Sequence, residues 1–282
     1  MSLTLEEAGT EWVAVPTVPA AALSSARAEL HHAAQVANAP AISYLAPAPD
    51  DSHTTFGWSH DLRAFVSQQV PLPRPRRFAL RPADGKLLTI DDAGTTVASF
   101  SFRGQTLDDA HQWTRAACEK AGGDVSRYRS AKHYEIPAHP VATGARFVAD
   151  AGAYRALSQL WSNAHHFLQA VAATNSGASA VRLWPHHFDL ALILTIDDKR
   201  SIGVGFTPGD HYYDEPYWYL SPYPRPTAAT NPTLDAGAHW HKQDFFSAVL
   251  PWSAYSASSH PGDAVAAYLR SALRGARSLL GA

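Results

Sequence analysis

Apolar residues recur at helical spacing in several long stretches, and between them the period shortens to two. Ala22, Leu23, Ala26, Leu30, Ala33, Ala34 and Ala37 predict a helix over Ala20 to Ala39, with Pro40 as its stop. Leu107 to Ala121 follows Thr106, carries Asp108 and Asp109 in its first turn and meets Gly122-Gly123 at its end, which marks both boundaries of a second helix. Leu157, Leu160, Trp161, Ala164, Leu168 and Val171 predict a third over Tyr154 to Ala173, and Pro261 to Leu280 reads as a closing helix. Alternation predicts strands over Ala41 to Leu45, Phe78 to Arg81, Leu87 to Ile90, Val97 to Phe102 and Val181 to Trp184. It predicts further strands over Leu190 to Ile196, Ile202 to Phe206, Tyr217 to Tyr219 and Phe245 to Leu250.

The order helix, strands, helix occurs twice. The first helix carries His31-His32 with Gln35, and the third carries His165-His166 with Gln169, the same His-His-x-x-Gln pattern. The expected fold is therefore α+β, with two similar duplicated halves, each a mostly antiparallel sheet with helices packed on one face. Residues 1–133 form the expected first repeat, 134–150 a linker containing Pro137 and Pro140, and 151–282 the second repeat, which carries the candidate site.

Composition narrows the function classes. The chain has 282 residues, 46% of them hydrophobic and 17% charged, with a net charge of −2. That is enough for one large domain or two ordinary ones. It has no basic surplus of the kind that nucleic acid requires, so no nucleic-acid partner is expected. Cys118 is the only cysteine, which rules out an intramolecular disulfide or a thiolate metal site and fits a reducing cytosol. The segment Met1 to Glu11 lacks the basic start and apolar run of a secretory signal, and no apolar run reaches membrane-spanning length. A cytoplasmic protein without a membrane partner is the expectation, and the Ala, Pro and Arg usage resembles high-GC bacterial coding.

Histidines, carboxylates and aromatic rings crowd between Trp184 and Pro224. The segment contains Trp184-Pro185-His186-His187-Phe188-Asp189-Leu190-Ala191, then Gly205-Phe206-Thr207-Pro208-Gly209, then Glu215, Tyr219 and Tyr223-Pro224. With Leu30-His31, Gln35 and Leu250-Pro251-Trp252, these elements resemble an uncharacterised bacterial family, one of the domain-of-unknown-function families. The resemblance supports the fold and the place of the site and implies no activity.

Read by their chemistry, His187 and Asp189 stand two apart and would share one face of a strand. An imidazole and a carboxylate so placed suit acid–base work or a divalent metal. His239-Trp240-His241 repeats that spacing. His187, Asp189, His239 and His241 are therefore the candidate ligands of a possible divalent metal ion, and nitrogen and oxygen donors without sulfur suit zinc, iron, nickel or manganese. Asp189, Glu215 and His187 are the catalytic candidates; Trp184, Tyr217, Tyr219 and His211 are the expected walls of a small-molecule pocket. The competing structural role is plain: Asp189 and Glu215 would accept hydrogen bonds from a neighbouring Tyr or from backbone N–H groups and so lock a loop. The functional expectation is binding, and possibly conversion, of a small polar or aromatic molecule. The alternative is a non-catalytic scaffold whose aromatic strand pairs with a partner or with itself. No Gly-x-Ser-x-Gly elbow and no glycine-rich phosphate loop occurs.

Overall fold

The computed structural model describes residues 3–130, 133–227 and 231–282. In chain order the helices are α1 (Leu5–Thr10), α2 (Ala20–Tyr44), α3 (Leu107–Lys120), α4 (Ala151–Ala173), α5 (Trp252–Tyr255) and α6 (Pro261–Leu280). The strands are β1 (Phe56–Ser59), β2 (Ala64–Ser67), β3 (Arg77–Arg81), β4 (Lys86–Ile90), β5 (Thr96–Ser101) and β6 (Arg182–Trp184), followed by β7 (Asp189–Thr195), β8 (Ser201–Thr207), β9 (Tyr217–Tyr223), β10 (His239–His241) and β11 (Ser247–Pro251). The fold is thus mixed helix and strand, and the strand pairs are antiparallel. Among the described residues no helix is long and apolar enough to cross a membrane.

The chain divides into two compact units. Unit I comprises Met1–Ala14, Leu160–Val181 and Asp189–Ala282; unit II comprises Val15–Gln159 and Arg182–Phe188.

In unit II the strand order is β6-β1-β2-β3-β4-β5. One sheet face carries Phe56, Trp58, Phe65, Phe78 and Leu80, all buried. Their neighbours along each strand, including Gly57, Val66, Arg77 and Ala79, lie on the other face. Helix α2 does not stop at Pro40. It runs four residues further, to Tyr44, so the strand expected over Ala41 to Leu45 is instead the last turn of a helix. Proline inside a helix costs about 3 kcal/mol. The turn is held by tertiary contacts that offset this: Ser43 Oγ donates to Ala39 O (2.6 Å) and accepts from Arg129 N (2.8 Å), and the Tyr44 hydroxyl donates to Asp124 O (3.0 Å).

A buried carboxylate sets the entry to α4 in unit II. Glu29 is 1% exposed. It accepts from Val148 N (2.8 Å), from Ala149 N (3.0 Å) and from the Tyr154 hydroxyl (2.7 Å). Burial, followed by the Glu29 carboxylate, pushes the Tyr154 hydroxyl far above its ordinary pKa, so it stays a donor.

In unit I the strand order is β10-β11-β9-β8-β7. Ile202, Val204, Phe206, Trp218, Leu220, Ala248 and Leu250 are buried and share one face by register. Phe167 of α4 meets Trp218 on that face edge-on, at 5.8 Å between ring centroids, and α6 lies along β9 and β11. The N-terminal segment is tied into the same unit. Asn163 accepts from Val13 N (3.2 Å) and donates to Val13 O (2.8 Å), in the manner of a strand partner. Gly262 lets α1 approach α6, since a Cβ there would lie 2.3 Å from Gly9 O.

Glu29→Ala is expected to destabilise the protein by on the order of 3 kcal/mol, because it leaves one buried and two part-buried donors without their acceptor. Tyr154→Phe removes one donor and is expected to cost about 1 kcal/mol. Urea unfolding monitored by circular dichroism measures both, and equal costs would contradict the shared-acceptor account.

Candidate functional site

The second face of the unit I sheet is built differently from the first. By register it carries Asp189 and Ala191 on β7, Gly203, Gly205 and Thr207 on β8, and Tyr217, Tyr219 and Ser221 on β9. Ser247 and Val249 on β11 and His239 and His241 on β10 continue it. This is a polar and aromatic layer, on the face opposite Phe167 and α6.

Gly205 shapes that layer. It pairs with Tyr219 on one side and with Ala191 on the other. A Cβ on Gly205 would lie 2.4 Å from the Tyr219 hydroxyl oxygen. The Tyr219 ring therefore lies across the strand in the space a side chain would fill, and its hydroxyl reaches β7, where it donates to Asp189. Burial first, and the Asp189 carboxyl next, hold the Tyr219 hydroxyl well above its ordinary pKa. Asp189 is 6% exposed, whereas Tyr219 is only half-buried.

A second acid–phenol pair stands beside the first. Tyr217, next on the same face of β9, donates to Asp210 Oδ2 (2.6 Å) in the β8–β9 loop. Burial, then Asp210, raises the Tyr217 hydroxyl far above its ordinary value. The Tyr213 ring lies 4.8 Å from that of Tyr217.

Tyr213 continues the network to β10. Its hydroxyl lies 2.8 Å from His239 Nε2 and 2.9 Å from His241 Nδ1. His241 Nε2 lies 2.6 Å from Gln243 O, a carbonyl that can only accept. That contact fixes the direction of the neutral network. His241 carries its proton on Nε2, Tyr213 donates to His241 Nδ1, and His239 Nε2–H donates to Tyr213. A proton taken up at His239 Nδ1 leaves every bond in place, so the chain of donors is polar and one-directional. Burial, then the neighbouring His241, lowers the pKa of His239 below its ordinary 6.5.

The remaining sequence candidates stand elsewhere. Glu215 accepts from Ser253 N (2.6 Å) and Ser253 Oγ (2.8 Å), so it holds the first turn of α5 rather than joining Asp189. His211 is exposed in the β8–β9 loop with its ring 3.8 Å from that of Tyr212. Trp184 and His187 belong to unit II. Trp184 ends β6 half-buried; His187 is exposed in the turn after it, with its ring 4.2 Å from that of His186. The shared strand face expected for His187 and Asp189 does not form. Phe188 between them has φ 60°, outside extended backbone, and β7 begins only at Asp189. Unit II holds this turn in place. Phe188 N donates to Trp184 O (2.7 Å), His31 stacks on Phe188 at 4.8 Å, and His31 and Gln35 both reach Pro185 O at 2.9 Å. The repeated His-x-x-x-Gln spacing thus serves, in α2, to clamp a turn.

Among the described residues no group of three or more His, Cys, Asp or Glu side chains is placed to hold a metal ion. His239 and His241 converge on the Tyr213 hydroxyl instead. Sequence reasoning missed Asp210 and Tyr213, which supply the second acceptor and the bridge. It also missed Gly205, whose signal is the Gly-Val-Gly run of a strand otherwise made of large residues.

Two outcomes test this geometry. Gly205→Ala is expected to cost about 1–3 kcal/mol by overpacking against the Tyr219 ring, and most of that cost is expected to vanish in a Tyr219→Ala background. Additive costs in the double-mutant cycle would place the ring elsewhere. For His239, NMR titration of the imidazole is expected to give a midpoint below 6.5. The native state then refuses a proton that the unfolded chain accepts, so this group's contribution is complete above about pH 6.5 and is lost as the pH falls toward the native midpoint. A midpoint above 6.5 would contradict the assignment.

No curated protein and no solved structure matches the chain. One family model does, over residues 196–281, and it describes a family of unknown function, DUF5996.

Proposed function

We propose that the polar layer of unit I binds a small polar molecule, with the Asp189 carboxyl, held in place by the Tyr219 hydroxyl, as its acceptor. The observation that carries this is the Tyr219 ring laid over Gly205 onto Asp189, with a second acid–phenol pair and an imidazole chain beside it. The available groups are hydroxyl donors, carboxyl acceptors and imidazoles. They suit recognition of an amine or hydroxyl and proton transfer to or from it. Tyr219 and Tyr217, held protonated, donate to Asp189 and Asp210 and offer a ligand only their oxygen lone pairs, not a phenolate nucleophile. In this reading Asp189 is the anchor or base, and Glu215 is a loop lock. Trp184, His187 and His211 fall outside the set.

The scaffold reading survives only in altered form. β9 is paired to β8 on one side and to β11 on the other, so its backbone has no free edge to offer a partner strand. A partner would have to meet the exposed Ile193 and Tyr223, which lie on the polar face. We also retain the duplication as a proposal, supported by the recurrence of His-His-x-x-Gln in α2 and α4, each followed by antiparallel strands and a closing helix.

Thermal-shift screening against polar metabolites tests the binding reading. At least one compound is expected to raise the melting temperature of the wild type and to lose that effect in Asp189→Asn and Tyr219→Phe. Compounds that stabilise both variants as well as the wild type, or a screen without stabilisers, would count against it.

A further inference from the structure

Unit II has a groove that the polar layer of unit I does not use. It encloses about 620 Å³ and runs over the outer face of the β6-β1-β2-β3 part of the sheet. Its walls include Gly57, Ser59, Val66, Ile90, Arg77 and Arg182. By register, Arg182, Gly57, Val66, Arg77 and Ile90 all lie on this face.

The charges of the face divide into two sets. Arg81 and Lys86, at one end, are both neutralised by Asp84, at 2.7 Å and 3.3 Å. Arg77 and Arg182, on the groove, make no ion pair or side-chain hydrogen bond among the described residues. Three strand spacings of about 4.8 Å separate their strands, within reach of two arginine side chains extended toward each other. Arg182 is already turned inward: its Nη1 lies 3.4 Å from where a Cβ of Gly57 would stand, so the guanidinium lies over β1. Between the two arginine strands the floor presents half-buried Val66, packed on a cluster of Ala64, Ala79, Leu88 and Ile90, with Gln68 and Thr55 beside it.

Two unpaired guanidinia flanking an apolar patch in a polar groove are a pattern that recognises an oxyanion carried on a small organic body. The forked N–H groups match the oxygens of a carboxylate or phosphate, and the body covers apolar surface. We propose that this groove is a binding site for a small organic anion, its acidic groups held by Arg77 and Arg182 and its carbon skeleton lying on Val66. Asp61, which also lines the groove, carries the opposite sign and sets a limit on how much negative charge the ligand brings. The site is independent of the Asp189–Tyr219 layer, and either can fail without the other.

Isothermal titration at low salt, with inorganic phosphate and with succinate as separate probes, tests this. The expected result is saturable binding of at least one probe. Phosphate binding assigns a phosphoryl head group, and succinate binding a dicarboxylate. Affinity is expected to fall about tenfold or more in Arg77→Ala and in Arg182→Ala, to fall with added salt, and to rise in Asp61→Asn. Arg→Lys variants, which keep the charge and lose the fork, are expected to recover only part of the affinity. Thermal melts unchanged by these surface substitutions confirm that folding is intact. Neither probe binding the wild type, or binding that the arginine variants leave unaltered, would overturn the proposal.

Discussion

A missing side chain organises the candidate site. Gly205 has no Cβ, so the ring of Tyr219 can lie flat over the neighbouring strand and place its hydroxyl on Asp189. Any other residue at that position would stand the ring up and separate the two groups. The pair unites the first residue of β7 with the middle of β9 across an intervening strand, on the face that α6 does not cover. Everything proposed for unit I follows from that arrangement: a buried acceptor, a donor kept protonated, and further phenols and imidazoles arranged around them.

Several carboxylates of this chain serve as hydrogen-bond acceptors for loops and phenols. Asp210 takes the Tyr217 hydroxyl, Glu215 takes the backbone and hydroxyl of Ser253, and Glu29 takes two backbone N–H groups and the Tyr154 hydroxyl. Carboxyls satisfied in this way fix loops and hold phenols protonated by depriving them of any gain from ionisation. Such a layer handles protons and hydrogen bonds; it is poorly suited to nucleophilic attack. The single thiol agrees with that, since burial pushes the pKa of Cys118 up to about 12.

The regular elements were largely legible in the sequence because periodicity is a local property. Helices α3, α4 and α6 and strands β3 to β8 and β11 lie close to where spacing and caps put them, and β9 runs on from the expected Tyr217 to Tyr219 as far as Tyr223. α2 overran Pro40 because Ser43 and Tyr44 are held by residues 124 to 129, which no local pattern reveals. β1 and β2 escaped notice because each is four residues long and their hairpin, with Arg63 at positive φ, lacks the usual Gly or Asn. Within the site, residue types were legible and pairings were not. Asp189 finds Tyr219 thirty residues on, and Glu215 finds Ser253 thirty-eight residues on. His187 was misplaced because the left-handed Phe188 that breaks the strand is imposed by His31 and Gln35, far away in α2.

The central claim is that Tyr219 reaches Asp189 across Gly205, and ionisation of tyrosine Cζ-labelled protein, followed by carbon NMR, tests it directly. The Tyr219 resonance is predicted to remain that of a neutral phenol well above pH 10, the ordinary tyrosine value. A Tyr219 resonance that titrates near pH 10 would contradict the account.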